Sequence, residues 1–223
     1  MQTYPLILEN GHLFVALLEG SFLFDTGAPI SFGKAPQVAV DEQSFNLPPS
    51  YMGLTAVNLS TFVSRETHGI LGGDILNQFD ILIDVPQSRI CFSKRPLECA
   101  GEELTLEEFM AVPILQATIA GESVRMFFDT GAQISYFQGD SLSKFPAEGN
   151  VQDFYPGIGQ FSTDTFRVPT KIGRAQYPLR CGQLPTLLGM SLMLAGTQGL
   201  IGNELLQGRV VGYFPRRRRL ILS

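Results

Sequence analysis

Residues 24–32 read Phe24-Asp25-Thr26-Gly27-Ala28-Pro29-Ile30-Ser31-Phe32, and residues 128–136 read Phe128-Asp129-Thr130-Gly131-Ala132-Gln133-Ile134-Ser135-Tyr136. Seven of the nine positions are identical and the last is aromatic in both, which marks an internal duplication. A second pair lies downstream, where Gly69-Ile70-Leu71-Gly72-Gly73-Asp74-Ile75-Leu76 answers to Gly199-Leu200-Ile201-Gly202-Asn203-Glu204-Leu205-Leu206. Each copy is trailed by a strand-turn-strand pattern, Phe79 to Ser93 in the first and Arg209 to Ser223 in the second. The halves are therefore expected at 1–97 and 111–223. The acidic stretch 98–110 reads as a linker, with room for a short helix at Thr105-Leu106-Glu107-Glu108.

The copies are not equivalent. The Asp-Thr-Gly segments are offset by 104 residues and the later pair by 130, so the second half holds 26 more residues between its landmarks. The alternation around Phe154-Tyr155-Pro156-Gly157-Ile158-Gly159-Gln160-Phe161 predicts an added β-hairpin near 152–170.

Composition narrows the class. The chain has 223 residues, 44% hydrophobic and 17% charged, which is enough apolar material for a core. Short Val, Ile, Leu and Phe runs broken by 23 Gly and 14 Pro point to mostly β structure. A net charge of -5 argues against a nucleic-acid partner. No apolar run has the length of a membrane span, so no membrane contact is expected. No basic, apolar leader follows Met1, and Cys91, Cys99 and Cys181 form no C-x-x-C pair. Reduced thiols and a cytoplasmic location are the expectation, though a fragment processed from a longer precursor would look the same. Arg216 to Arg219 read as the solvated turn of a hairpin. Asp74, Asp80 and Asp84 read as helix-start, turn and surface residues. His12 and His68 stand alone, and no metal or cofactor is expected.

The chemistry lies in the repeat. In each half an apolar run, Phe22-Leu23-Phe24 or Met126-Phe127-Phe128, ends on an Asp followed by Thr-Gly. Duplicated halves tend to pack about a local twofold axis, which would bring Asp25 and Asp129 together. Two carboxyls a few ångströms apart hold one proton between them. Such a pair can take a proton from water and give one to a carbonyl oxygen.

On these residues the chain resembles the aspartic peptidases, the pepsin and retropepsin superfamily. The resemblance implies an all-β acid protease fold: two pseudo-twofold-related, retropepsin-like β-barrel lobes with a cleft between them and short helices. It implies a hydrolase, an aspartic endopeptidase with Asp25 and Asp129 as catalytic pair, acting as a monomer on an extended peptide or protein substrate. Thr26, Gly27, Ala28, Thr130, Gly131 and Ala132 would support the pair. Ile70, Leu71, Gly72, Leu200, Ile201 and Gly202 would brace it, and Tyr155, Gly157, Ile158, Gly159, Gln160 and Phe161 would form a flap over the substrate. Pepsin-like enzymes carry their flap on the N-terminal lobe, whereas here the insertion is in the C-terminal half. Exchanged lobe roles and a reversed peptide direction are expected on that ground. Ala28 and Ala132, which offer the carboxyls no side-chain hydroxyl, imply activity toward neutral pH. A second reading keeps the fold without the chemistry, as a silent peptide- or protein-binding module. A third is an enzyme specialised for itself or one partner.

Overall fold

The computed structural model describes residues 1–155 and 159–223. Among these, two large mixed β-sheets and two small hairpins account for nearly all the regular structure, with three short α-helices: α1 at Ala56–Phe62, α2 at Gly73–Leu76 and α3 at Thr186–Leu194. No helix of the described residues is long and apolar enough to cross a membrane.

The larger sheet has ten strands, in the order Glu102–Thr105, Arg219–Leu222, Val210–Phe214, Asp80–Asp84, Arg89–Ser93, Gln2–Glu9, His12–Leu17, Gly20–Phe24, Gly69–Leu71 and Phe32–Gly33. The smaller has eight: Glu107–Phe109, Val112–Ile119, Glu122–Phe128, Gly199–Ile201, Ser135–Phe137, Ala175–Gly182, Gly159–Ile172 and Ala147–Tyr155. Within it, Ala117–Ile119 also pairs with Thr170–Ile172, which curls the sheet while Glu107–Phe109 and Ala147–Tyr155 stay at its edges.

The expectation of two separate β-barrel lobes is corrected by this topology. The larger sheet is open, and three of its strands come from beyond residue 98. Ile81–Asp84 pairs antiparallel with Val210–Tyr213, so the halves share one hydrogen-bonded array. They also share a core: Phe24, Phe92, Phe128 and Tyr213 belong to one buried cluster, with the Phe128 and Tyr213 rings 6.1 Å apart. A duplicated sequence dictates similar local strands. It does not dictate which strand edges find each other, and here the edges pair across the halves.

Two further readings change. Within the segment read as a linker, Glu102–Thr105 is a strand paired with Arg219–Leu222, and Glu107–Phe109 pairs with Val112–Ile114, so no helix forms at 105–108. Leu106 is buried between these two strands, and alternating exposure suits strands better than a helical turn. Asp84, read as a surface residue, is buried, and Asp80, read as a turn residue, is buried at the start of the strand Asp80–Asp84. Arg216 and Arg217 lie 3.1 and 2.5 Å from the Asp80 carboxyl, so the basic turn neutralises a core charge instead of merely facing water.

Local chemistry sets up the site. Phe22 and Phe24 pack into one buried cluster and Leu23 into another, so both faces of their strand, which runs parallel to Gly69–Leu71, are covered. Phe127 and Phe128 run parallel to Leu200 and Ile201 in the same way. Both strands thus deliver an Asp at the same point. The Asp25 amide donates to Leu71 O at 3.1 Å and the Asp129 amide to Ile201 O at 2.9 Å.

Candidate functional site

The two Asp loops meet back to back. The Thr26 amide donates to Thr130 Oγ1 and the Thr130 amide to Thr26 Oγ1, each at 3.0 Å. The hydroxyls then donate onward, Thr26 to Phe128 O at 2.6 Å and Thr130 to Phe24 O at 2.8 Å. Both threonines are buried, so four backbone groups rely on these two hydroxyls.

Above this lock the carboxyls face one another. A Cβ on Gly27 would stand 2.2 Å from Asp129 Cγ, and one on Gly131 would stand 2.5 Å from Asp25 Cγ. Glycine is required at both places because the opposite carboxyl fills the space. Within its own loop Asp25 Oδ1 accepts from the Gly27 and Ala28 amides, at 2.9 and 3.0 Å. Asp129 Oδ1 accepts from those of Gly131 and Ala132, at 2.9 and 3.3 Å. Burial raises the pKa of both groups, and the charge of Asp25 raises that of Asp129 further. The pair therefore keeps one proton above the usual carboxylate range, and that proton belongs to the pair.

The brace residues sit beneath the loops. The Gly72 amide donates to Ser31 Oγ and the Gly202 amide to Ser135 Oγ, while the Gly73 and Asn203 amides donate to Ala28 O and Ala132 O. Leu71 and Ile201 are in the core, and Ile70 and Leu200 line a cleft of about 400 Å³ whose floor holds both Asp residues. Tyr155 and Phe161 line that cleft from the hairpin of Ala147–Tyr155 and Gly159–Ile172; Gly159 and Gln160 are not among its lining residues. Gly157 and Ile158 lie outside the described residues. Phe154, in the same hairpin, stacks on Phe62 of α1 at 4.6 Å, which ties the second half to the first across the cleft.

Two participants escaped the sequence reading. His12 is buried, its Nδ1 3.2 Å from Gly131 O and its Nε2 2.7 Å from Gln133 Nε2. Donation from Nδ1 to the carbonyl and acceptance at Nε2 fits the neutral ring, and burial lowers its pKa in keeping. The turn carrying it crosses to the other half, where Asn203 Nδ2 donates to Gly11 O at 2.8 Å. The turn at Met110 and Ala111 reciprocates, with Asn77 Nδ2 donating to Ala111 O at 2.8 Å. Both turns have two successive positive-φ residues, Asn10-Gly11 and Met110-Ala111, and only Asn10-Gly11 is a residue pair that favours such a turn. Asp153 is the other, a third carboxyl in the cleft; it accepts a hydrogen bond from the Tyr136 hydroxyl. Among the described residues no group of three or more His, Cys, Asp or Glu could hold a metal ion.

No family model matches the chain, and no curated protein matches it. The assignment to the aspartic peptidases is therefore withdrawn. The endopeptidase function, the hydrolase class and the pepsin-like, retropepsin-like and flap labels go with it, as does the silent binding module on that family's fold. The physical reason is one of scale. Nine repeated residues determine two loops, in which each Asp already serves as acceptor for its own loop's amides, whereas a reaction is a property of the whole surround.

The pair has a consequence for stability. Because both folded pKa values are raised above the unfolded value near ~3.9, the folded state binds more protons than the unfolded one. Stability from this source is fully present below pH ~3.9 and declines as pH rises through the folded values. Asp129→Asn keeps the Oδ1 acceptor but removes one titration. The variant is expected to be more stable than the parent at pH 7, with a pH slope shallower by up to about 1.4 kcal/mol per pH unit. Urea unfolding from pH 4 to 8 measures it, and parallel profiles would contradict a shared proton.

Proposed function

We propose that the cleft above Asp25 and Asp129 binds an extended, largely apolar peptide segment, whose backbone meets the proton shared by the two carboxyls. The observation that carries this is the pair's position. It is a buried, one-proton device, able to donate and accept, on the floor of an apolar cleft flanked by a hairpin. A peptide group offers the complementary acceptor and donor, and apolar side chains suit walls made by residues such as Ile70, Phe127, Leu188 and Leu200. Both carboxyls come from one chain, which supports a monomeric binding unit.

The test is fluorescence anisotropy with extended, apolar, proteome-derived peptides at pH 5 to 8, each peptide then being weighed by mass spectrometry. Wild type is expected to bind a subset and leave it intact. Asp25→Asn should weaken binding about 10- to 100-fold, the value of a hydrogen bond to a charged group. Unchanged binding in Asp25→Asn would overturn the role of the pair. Peptides cut at one bond by wild type and not by Asp25→Asn would overturn the binding reading in favour of hydrolysis.

A further inference from the structure

Asp153 is the group in the cleft that the carboxyl pair leaves unexplained. It lies on the strand Ala147–Tyr155, and its Oδ1 accepts from the Phe154 amide at 2.8 Å while Oδ2 accepts from the Tyr136 hydroxyl. No lysine or arginine pairs with it among the described residues, and none lines the cleft. The nearby histidine, His12, has its pKa lowered by burial, which outweighs the opposing pull of Asp153, and its two ring nitrogens are engaged with Gly131 O and the Gln133 side chain. Arg180, the cation whose charge reaches Tyr136, is committed to Thr165 Oγ1 at 2.9 Å and Glu148 O at 2.8 Å. A carboxyl in this setting is held by two donors, has acceptor capacity left and lacks a counter-charge.

Its walls are aromatic. The Tyr136 and Phe161 rings are 6.1 Å apart, and both line the cleft with Asp153 and Phe154. Aromatic faces and a carboxylate together favour a cation on a long apolar stem, which is a lysine or arginine side chain. An acidic side chain would meet three carboxyls in a low-dielectric space, and its rejection follows from the same charges.

We propose that Asp153, Tyr136 and Phe161 form a subsite for a basic side chain of the bound peptide, a specificity-determining contact separate from the Asp25–Asp129 floor. The proposal rests on the peptide-binding reading above and adds the charge its ligand carries. Binding there gives Asp153 the partner it lacks, and burial strengthens the resulting ion pair.

Matched peptides carrying Lys, Arg, norleucine or Glu at each position in turn provide the test, with Kd measured at pH 7 for wild type and Asp153→Asn. The Asn variant keeps an oxygen for the Tyr136 hydroxyl, and a thermal melt equal to wild type certifies its fold. At one position wild type is expected to bind Lys or Arg at least 10-fold more tightly than norleucine, with Glu weakest. Asp153→Asn should bring Lys and norleucine within about 2-fold, since the charge-assisted bond that separates them is removed. Equal binding of Lys and norleucine peptides to wild type would overturn the subsite alone, as would discrimination that survives in Asp153→Asn. Binding of no peptide at all would overturn the cleft reading and the subsite together.

Discussion

Asp80→Ala is expected to lower the unfolding free energy by about 3 kcal/mol, the low end of the cost of breaking a buried ion pair, and Tm by about 6–12 °C for a chain of this size. The Asp80 side chain is fully buried at the start of Asp80–Asp84, the strand through which the two halves are hydrogen-bonded. Its oxygens accept from Arg216 at 3.1 Å, Arg217 at 2.5 Å and the Leu97 amide at 3.0 Å. Truncation orphans that amide and leaves two cations without their carboxylate. Both arginines are a quarter to a third exposed, so water recovers part of the loss, which is why the low end applies. Arg217 also lies over the Phe214 ring at 4.3 Å and donates to Leu97 O at 2.6 Å, so Arg217→Ala removes packing as well as charge. Glu103→Ala, which removes the exposed partner of Arg219, is expected to leave Tm unmoved. Thermal melts of the three variants check the ranking; an Asp80→Ala protein as stable as Glu103→Ala would show that the basic turn is simply solvated.

That contrast shows where sequence reading stops. The pattern Tyr213-Phe214-Pro215 followed by four arginines and Leu220-Ile221-Leu222 makes a hairpin legible, because turn chemistry and alternation are local. The carboxylate beneath that turn is more than a hundred residues away, and no local signal marks Asp80 as its partner. The same holds for Glu102–Thr105. Its composition is that of an acidic linker, and it is a strand because the C-terminal Arg219–Leu222 offers it an edge. The nine-residue repeat is visible because identity is dense in it. The peptidase it suggested found no family or curated counterpart, and the two barrels it suggested gave way to a sheet common to both halves. His12 was equally silent. A single histidine two residues after Asn10 has no motif, and its role comes from a turn that reaches the loop of Gly131 and Gln133.

Thr26→Val is expected to cost about 2–6 kcal/mol, because it strands two buried backbone groups at about 1–3 kcal/mol each. The Thr26 hydroxyl accepts from the Thr130 amide and donates to Phe128 O; valine fills the same space and does neither. Thr130→Val strands the Thr26 amide and Phe24 O in the same way. The four hydrogen bonds are distinct, so a rigid molecule would lose them additively. The loops that carry them touch, however, and once one hydroxyl is gone the loops can part enough for water to reach the other's partners. The double variant should therefore cost less than the two single losses together, with a coupling of about 1 kcal/mol or more for groups in direct contact. Urea unfolding of the four proteins closes the cycle. Parting the loops also admits water between Asp25 and Asp129, and desolvation is the first cause of their raised pKa values. The excess proton uptake of the folded state should shrink along with the stability, and the loss of stability between pH 4 and 8 should flatten in Thr26→Val. A variant that is destabilised but keeps the parent's pH slope would mean that the carboxyls are held together by their own strands, with the threonine lock serving stability alone.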